Sequence, residues 1–575
     1  MTRLALALLA GLTLTAQVKP LPPDPPFNRL HDNDAILGFL RGYAAAYPQL
    51  ARLERVGKST QGQDLWCLVI HNPRTGAAER KPAAWIDGAT HGNEAQGTET
   101  ALYVAHTLLT QYGQRPAITE LVDRAVLYIL PIVNADGRRA WFQGPASPNT
   151  YRGLFVPMDD DRDGRKDEDG PEDLDGNGLL TQMRKRVAPG LGTHKLDPKD
   201  PRVLMPVEPG EAGDWLLLGE EGLDNDGDGS VNEDGPGYVD TNRIWGYDYA
   251  PRYVQGGAPD YPLQPAEAQA FARFQLARPH IATVMSFHNT GRMILRGPGA
   301  RPTRNWPAQD IRAFDLLGRE GEKMLPGYRY LVSWKDLYVS YGDSTDHAYG
   351  TIGALGFVNE LYGPPQELMP KAAPGAPPPG PFDRGASDAE RLKWSDRLTF
   401  GRQFVPWKPF RHPQLGDVEL GGWAKDTNRM PEGWMLEEEC HRNAAFTIHC
   451  ASQLPRLTVL GTEAVRQGGD TWKVTVTVRN DRAIPSVPGI VLQNRLHRVD
   501  LATLEGVKVL ASGRLLDPLK DVRAYQEHRP ERLLVPGVPG HGTTTLFFLV
   551  QGKGEATFRY DSVKGGVVTA PVSLK

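Results

Sequence analysis

The run Ala83-Ala84-Trp85-Ile86-Asp87-Gly88-Ala89-Thr90-His91-Gly92-Asn93-Glu94 decides how this chain is read. Its first five residues are an apolar stretch of the kind buried as a strand. Residues 95–112 follow with the composition of a helix. His91-Gly92-Asn93-Glu94 therefore lies on a strand-to-helix turn, at the strand's carboxyl end, where α/β folds build their sites. An HxxE spacing on such a turn aims an imidazole and a carboxylate at one point. Those are two of the three protein ligands that a catalytic zinc ion requires. Alone the pair is weak, because two such residues three apart recur by chance.

Working outward, strand patterns fall at residues 65–70, 83–87, 125–133, 281–287 and 355–361. Helical patterns fall at 95–112, 265–277 and 311–325. Residues 33–47 carry Ile36, Phe39, Leu40, Tyr43 and Tyr47 at helical spacing behind an Asn/Asp cap. Strands alternating with helices predict an α/β domain with a mixed sheet flanked by helices. His91, His288 and Glu360 stand at or just after the ends of strand candidates. Residues 364–381 are rich in Pro, Ala and Gly and read as a spacer inside this domain, because a helical pattern returns at 434–454. From residue 457 the character changes. Trp472-Lys473-Val474-Thr475-Val476-Thr477-Val478-Arg479 alternates strictly, which predicts an all-β sandwich over residues 457–575.

The chain has 575 residues and a net charge of −4, which argues against a nucleic-acid binder. Residues 1–16 combine a basic start, an apolar run and a small residue, as a secretory signal peptide does; the run is too short to span a bilayer. No other run is long enough, so no membrane span is expected after signal removal. The expected location is secreted or periplasmic. Three cysteines are present, Cys67, Cys440 and Cys450. The last two, on one helix, would stand roughly 15 Å apart, too far for a disulfide.

His288 ends the apolar run Val284-Met285-Ser286-Phe287 and offers a third ligand. With it, the chain resembles the zinc carboxypeptidases of carboxypeptidase A and T type. The family's HxxE matches His91 and Glu94, and its distant histidine matches His288. Its Asn-Arg pair matches Asp240-Thr241-Asn242-Arg243. Its catalytic segment matches Leu337-Tyr338-Val339-Ser340-Tyr341-Gly342-Asp343-Ser344-Thr345-Asp346 and, later, Gly356-Phe357-Val358-Asn359-Glu360. The likeness covers residues 27–454, interrupted by an insertion at about 144–238.

The resemblance implies a zinc ion held by His91, Glu94 and His288, with Asp240 fixing a ligand imidazole from behind. It implies Glu360 as general base. Gln182-Met183-Arg184-Lys185-Arg186 resembles the family segment that supplies the oxyanion arginine, which makes Arg184 the candidate and Arg186 the runner-up. Arg243, with Asn242 and Tyr338, matches the clamp for a substrate's free C-terminal carboxylate. Leu295, Gly299, Asp343 and Thr345 match the pocket for the leaving side chain, and Asp343 with Thr345 resembles a branch of broad preference. Family zymogens carry an inhibitory segment ahead of the enzyme, and no such segment is expected here.

The insertion is acidic and periodic. Asp159-x-Asp161-x-Asp163-Gly164, Asp173-x-Asp175-x-Asn177-Gly178 and Asp224-x-Asp226-x-Asp228-Gly229 place oxygen ligands at alternate positions before a glycine. That is the calcium-loop pattern, although the glutamate at position 12 is missing in all three. Late ligands are available in Asp167-Glu168-Asp169 and Asn232-Glu233-Asp234. Bound Ca²⁺ is expected in addition to Zn²⁺, since crowded carboxylates repel one another without cations.

The leading expectation is a zinc hydrolase that removes C-terminal residues from peptides. A zinc hydrolase cutting D-amino-acid bonds of cell-wall peptides is the alternative that shares the metal. A catalytically inactive, calcium-stabilised binding protein is the alternative from another class, and it would predict loss of Glu360 or of a zinc ligand.

Overall fold

The computed structural model describes residues 20–159, 162–301, 305–363, 386–427, 429–517 and 519–575. The proposed signal peptide and Asp161 lie outside the described residues. In chain order the first elements are α1 (Asn33–Ala46), β1 (Ala51–Lys58), β2 (Asp64–Ile70), β3 (Ala83–Gly88), α2 (Gln96–Gln111), α3 (Pro116–Arg124), β4 (Val126–Leu130) and α4 (Ala135–Gln143). The insertion contributes β5 (Gln182–Arg186), β6 (His194–Asp197), β7 (Asp200–Pro206) and β8 (Trp215–Glu220). Then come α5 (Ala266–Leu276), β9 (Ile281–Asn289), β10 (Met293–Arg296), α6 (Ala308–Met324), β11 (Arg329–Val332), α7 (Ser344–Gly350) and β12 (Leu355–Leu361). After them stand α8 (Asp388–Leu398), β13 (Phe404–His412), β14 (Gly416–Trp423) and α9 (Gly433–Ser452).

Eight of these strands form one mixed sheet in the order β1-β2-β4-β3-β9-β12-β10-β11. Its centre, β4-β3-β9-β12, is parallel. β3 and β9 are buried along their whole length. Strands covered on both faces must be apolar on both, so these read as continuous rather than alternating runs. One face packs on Leu102, Leu108, Phe314 and Phe446 from α2, α6 and α9. The other packs on Phe271 and Phe274 of α5. Each such side chain contributes about 1.5–3 kcal/mol on burial, so the sheet centre is the rigid part of the molecule. Cys67, Cys440 and Cys450 are buried free thiols.

A second sheet was not anticipated. β5, β6, β7 and β8 of the insertion join β13 and β14 in a six-stranded sheet, β13-β14-β5-β8-β6-β7. Two remote segments thus make one layer, with Glu419 opposite Arg184. Residues 457–574 form two antiparallel sheets of five and four strands. Val474, Val476 and Phe548 of one sheet meet Ala502, Phe558 and Tyr560 of the other in a shared core, a β-sandwich. It docks firmly. Ile484, Val487, Ile490 and Val491 belong to the α/β core, and Lys564 donates to the carbonyls of Pro279, Ile281 and Ile352 at 2.8, 2.5 and 3.0 Å.

Candidate active site

β3 ends at Gly88 and α2 begins at Gln96, so His91 and Glu94 ride on the turn between them. The turn is packed without slack. A Cβ at Gly92 would stand 2.4 Å from the Tyr151 carbonyl oxygen and 2.5 Å from Gly137 C, so only glycine fits. His288 arrives from the neighbouring strand, one residue from the end of β9. Glu360 pairs directly with His288 across the parallel β9–β12 ladder. Paired residues of a parallel ladder share a face, so both side chains point the same way.

His91, Glu94 and His288 each bring a ligand atom within 4.8 Å of the others, and all three are buried. His91 Nδ1 lies 2.9 Å from Glu94 Oε1, and His288 Nδ1 lies 3.2 Å from Glu94 Oε2. His91 Nδ1 is nevertheless a buried atom without a hydrogen-bond partner. That buried nitrogen and the Glu94 and His288 ligand atoms lie close enough together to share one ion. The donor set of two imidazoles and one carboxylate fits a divalent zinc ion. Behind His91, Nε2 meets Asp240 Oδ1 at 2.9 Å, which leaves Nδ1 as the free ligand atom. Against the cost of burial, His91, Arg152 and Arg243 hold the Asp240 carboxyl well below the usual carboxylate range. Glu94 is held down in the same sense, against burial, by His91 and Arg152. Glu360 goes the other way: burial, then the charge of Glu94, push it up to about 7.

One arginine at this cluster is Arg152. Its Nη1 donates to Glu94 Oε1 at 2.8 Å and its Nε to Asp240 Oδ2 at 3.4 Å. Its backbone carbonyl accepts from Gly92 N at 3.0 Å and from Asn134 Nδ2 at 3.1 Å, which fixes it beside the His91 turn. Arg184 lies elsewhere. It is clamped in the second sheet by Glu419 at 2.7 Å and stacked between Trp215 and Trp407, 4.6 and 4.2 Å from their ring centroids. A guanidinium held on three sides in this way is committed to the sheet, whereas it is Arg152 that touches Glu94 and Asp240. Arg186 also stands on β5, 3.6 Å from Asp214 and largely exposed.

Next to the cluster, Arg243 is buried with Tyr338 against it, 5.9 Å from guanidinium carbon to ring centroid. Asn242 Oδ1 accepts from Ser344 N at 2.8 Å, which ties this pair to the start of α7. Asp343 caps α7. Its Oδ1 accepts from Asp346 N at 2.9 Å and from Thr345 Oγ1 at 2.8 Å, and its Oδ2 accepts from Ser340 Oγ at 2.7 Å. Leu295 packs with Met293, Val358 and Leu337, the residue before Tyr338. Gly299 packs against the same corner, where a Cβ would stand 1.9 Å from Asp343 Oδ2, so Gly299, Asp343 and Thr345 meet at the start of α7, and Leu295 packs on Leu337 beside Tyr338.

The acidic loops also converge. Asp163, Glu168 and Asp226 form one group of carboxylates, Asp169, Asp224 and Asp226 a second, Asp226, Asp228 and Glu233 a third, and Asp173, Asp175 and Glu221 a fourth. Loops far apart in sequence therefore share neighbours, and Glu221, which sequence reasoning missed, is fully buried. Asn177 accepts from Leu179 N, and Asp159 from Arg162 N, within their own turns.

Residues 36–177 match the family model of zinc carboxypeptidases, and residues 456–573 match a domain family of unknown function. Carboxypeptidase D of Homo sapiens is 36% identical over 110 residues, 19% of this chain and 8% of that protein. Carboxypeptidase M of Mus musculus is 32% identical over 127 residues, 21% of this chain and 27% of that protein. The matches therefore span less than a third of these relatives. Among solved structures, carboxypeptidase A of Helicoverpa armigera is similar at 15% identity and a TM-score of 0.43, over 76% of this chain and 77% of that one.

Proposed function

We propose that this chain, whose residues 36–177 match the zinc carboxypeptidase family model, is a zinc-dependent hydrolase that releases C-terminal residues from peptides. The observation that carries the reading is the meeting of His91, Glu94 and His288 within 4.8 Å, with Glu360 paired beside His288. Bound there, zinc would supply an acidified water and polarise the scissile carbonyl. The protein's own groups do the rest. Glu360 takes the proton from the attacking water and passes it to the leaving amine; a carboxyl raised toward neutrality is suited to both halves of that transfer. Arg152 faces the oxygen on which negative charge develops. Arg243, with Asn242 and Tyr338, receives the substrate's terminal carboxylate through paired hydrogen bonds. Leu295, Asp343 and Thr345 surround the leaving side chain, and a mixed apolar and polar lining suits a broad preference.

The reading includes export, which rests on the character of residues 1–16. Among the described residues, no helix is long and apolar enough to cross a membrane. It also includes calcium in the acidic insert, where the convergent carboxylates of Asp163, Asp173, Asp175, Asp224, Asp226 and Asp228 would otherwise repel.

A panel of N-blocked dipeptides differing in the last residue tests the activity, with Glu360→Gln as control. Release of the C-terminal residue by the wild type and its loss in the variant are expected. Equal rates in the two proteins would remove Glu360 from the chemistry, and cleavage of C-terminally amidated peptides at full rate would remove the carboxylate clamp.

A further inference from the structure

The segment between the second sheet and α9 returns to the metal cluster through one side chain. Arg429 Nε donates to the Pro148 carbonyl at 2.9 Å, Nη1 to the Asn289 carbonyl at 3.2 Å, and Nη2 to Asn149 Oδ1 at 3.2 Å. The Arg429 carbonyl in turn accepts from Asn289 Nδ2 at 2.8 Å. Asn289 directly follows His288, and its backbone N–H donates to Glu94 Oε2 at 3.0 Å. Its side-chain nitrogen also donates to Gln96 Oε1 at 2.8 Å, in the first turn of α2. Arg429 therefore grips, from both sides, a residue that links the ends of two ligand-bearing elements. Its Nη1 also stands 3.8 Å from Glu94 Oε1, the oxygen that Arg152 contacts.

We propose that Arg429 is a positioning residue for the metal, holding Asn289 so that His288 and Glu94 keep their mutual geometry. The proposal rests on the metal assignment above. Its physical basis is tolerance: ligand distances around such an ion must hold to about 0.2 Å, and groups that orient ligands typically contribute 10–100-fold in affinity. A planar guanidinium is suited to the task. Its fork reaches two strands of chain at once, which a single ammonium does not. The residue lies outside the stretch matched by the zinc carboxypeptidase family and comes from a segment that joins the second sheet to α9. The inserted layer is thereby fastened to the cluster itself.

The test uses the full chain as wild type, Arg429→Met, Arg429→Lys and His288→Ala. Zinc affinity is measured by competition with a chromophoric chelator. Melting temperature is recorded with and without zinc, and the visible spectrum of the cobalt-substituted protein reports ligand geometry. Arg429→Met is expected to lose about 10–100-fold in zinc affinity, with a smaller zinc-induced rise in melting temperature and an altered cobalt spectrum. Arg429→Lys, which keeps the charge but not the fork, should fall between. Zinc affinity in Arg429→Met within twofold of wild type overturns the proposal. So does a drop in melting temperature that is equal with and without zinc, since that marks a purely structural contact. Should wild type and His288→Ala bind zinc alike, the metal assignment itself is what fails.

Discussion

Replacing Gly92 by alanine adds one methyl group at the tightest point of the ligand turn. The new Cβ would meet the Tyr151 oxygen at 2.4 Å, Gly137 C at 2.5 Å and Arg138 N at 2.6 Å. All three are backbone atoms on the side that carries Arg152, and none can swing aside. Ordinary carbon contacts lie near 3.5–4.0 Å, so the turn and its neighbour must part by about 1 Å. That displaces His91 and Glu94 from His288, or Arg152 from both. Overpacking of this kind costs about 1–3 kcal/mol, and a misplacement of about 1 Å in a reacting constellation costs about 100-fold in rate. Gly38→Ala is the matched control. A Cβ there meets nothing within 4 Å, and the residue lies inside α1, so helix propensity should stabilise the chain by up to about 1 kcal/mol. Both variants would be followed by urea unfolding, zinc stoichiometry and kcat on a blocked dipeptide. Gly92→Ala with wild-type zinc binding and kcat within threefold would show the turn to be compliant, and the steric argument would be wrong.

Arg152→Met should lower kcat by about 100–1000-fold. Arg184→Met should instead destabilise the second sheet by about 1–2 kcal/mol, through lost stacking on Trp215 and Trp407, with kcat nearly unchanged; the reverse pattern would restore Arg184 to the site. Acid sensitivity should trace partly to His280, which burial, with Lys564 and Arg278, lowers to about 4. The unfolded chain takes up that proton near 6.5, so this contribution is complete above about pH 6.5 and is lost as pH falls toward 4, about 2 kcal/mol of it by pH 5. His280→Gln, which keeps a hydrogen-bonding partner for the Tyr128 hydroxyl, should flatten the stability curve between pH 7 and 5, measured by urea unfolding; an unchanged slope would exonerate His280. Melting temperature should fall in EDTA and recover with Ca²⁺ beyond what Zn²⁺ restores, and calcium-independent melting would dismiss cations from the acidic loops.

Much of the scaffold was readable from local pattern. β3, β9 and β12 are short apolar runs, and α2 and α9 have helical periodicity, so their existence follows from neighbours a few residues apart. The positions of His91, Glu94, His288 and Glu360 at strand ends follow with them, because a turn after a buried strand exposes whatever it carries to one edge of the sheet. What sequence could not supply was pairing at long range. β5 lies against β14 only because residues more than two hundred positions apart meet, and no local signal announces that contact. Arg184 was therefore read by its motif, when its neighbours Glu419, Trp215 and Trp407 decide its use. Arg152 and Arg429 acquire their places from the converse effect. Each is an unremarkable arginine in the chain, and only the closure of backbone carbonyls and carboxylates around it, from segments remote in sequence, turns its charge toward the cluster of His91, Glu94 and His288. Sequence alone thus determined the central strands, their flanking helices and the residues at their ends; tertiary structure alone decided the second sheet and which cations those ends would face, because a charge is assigned by what surrounds it in space.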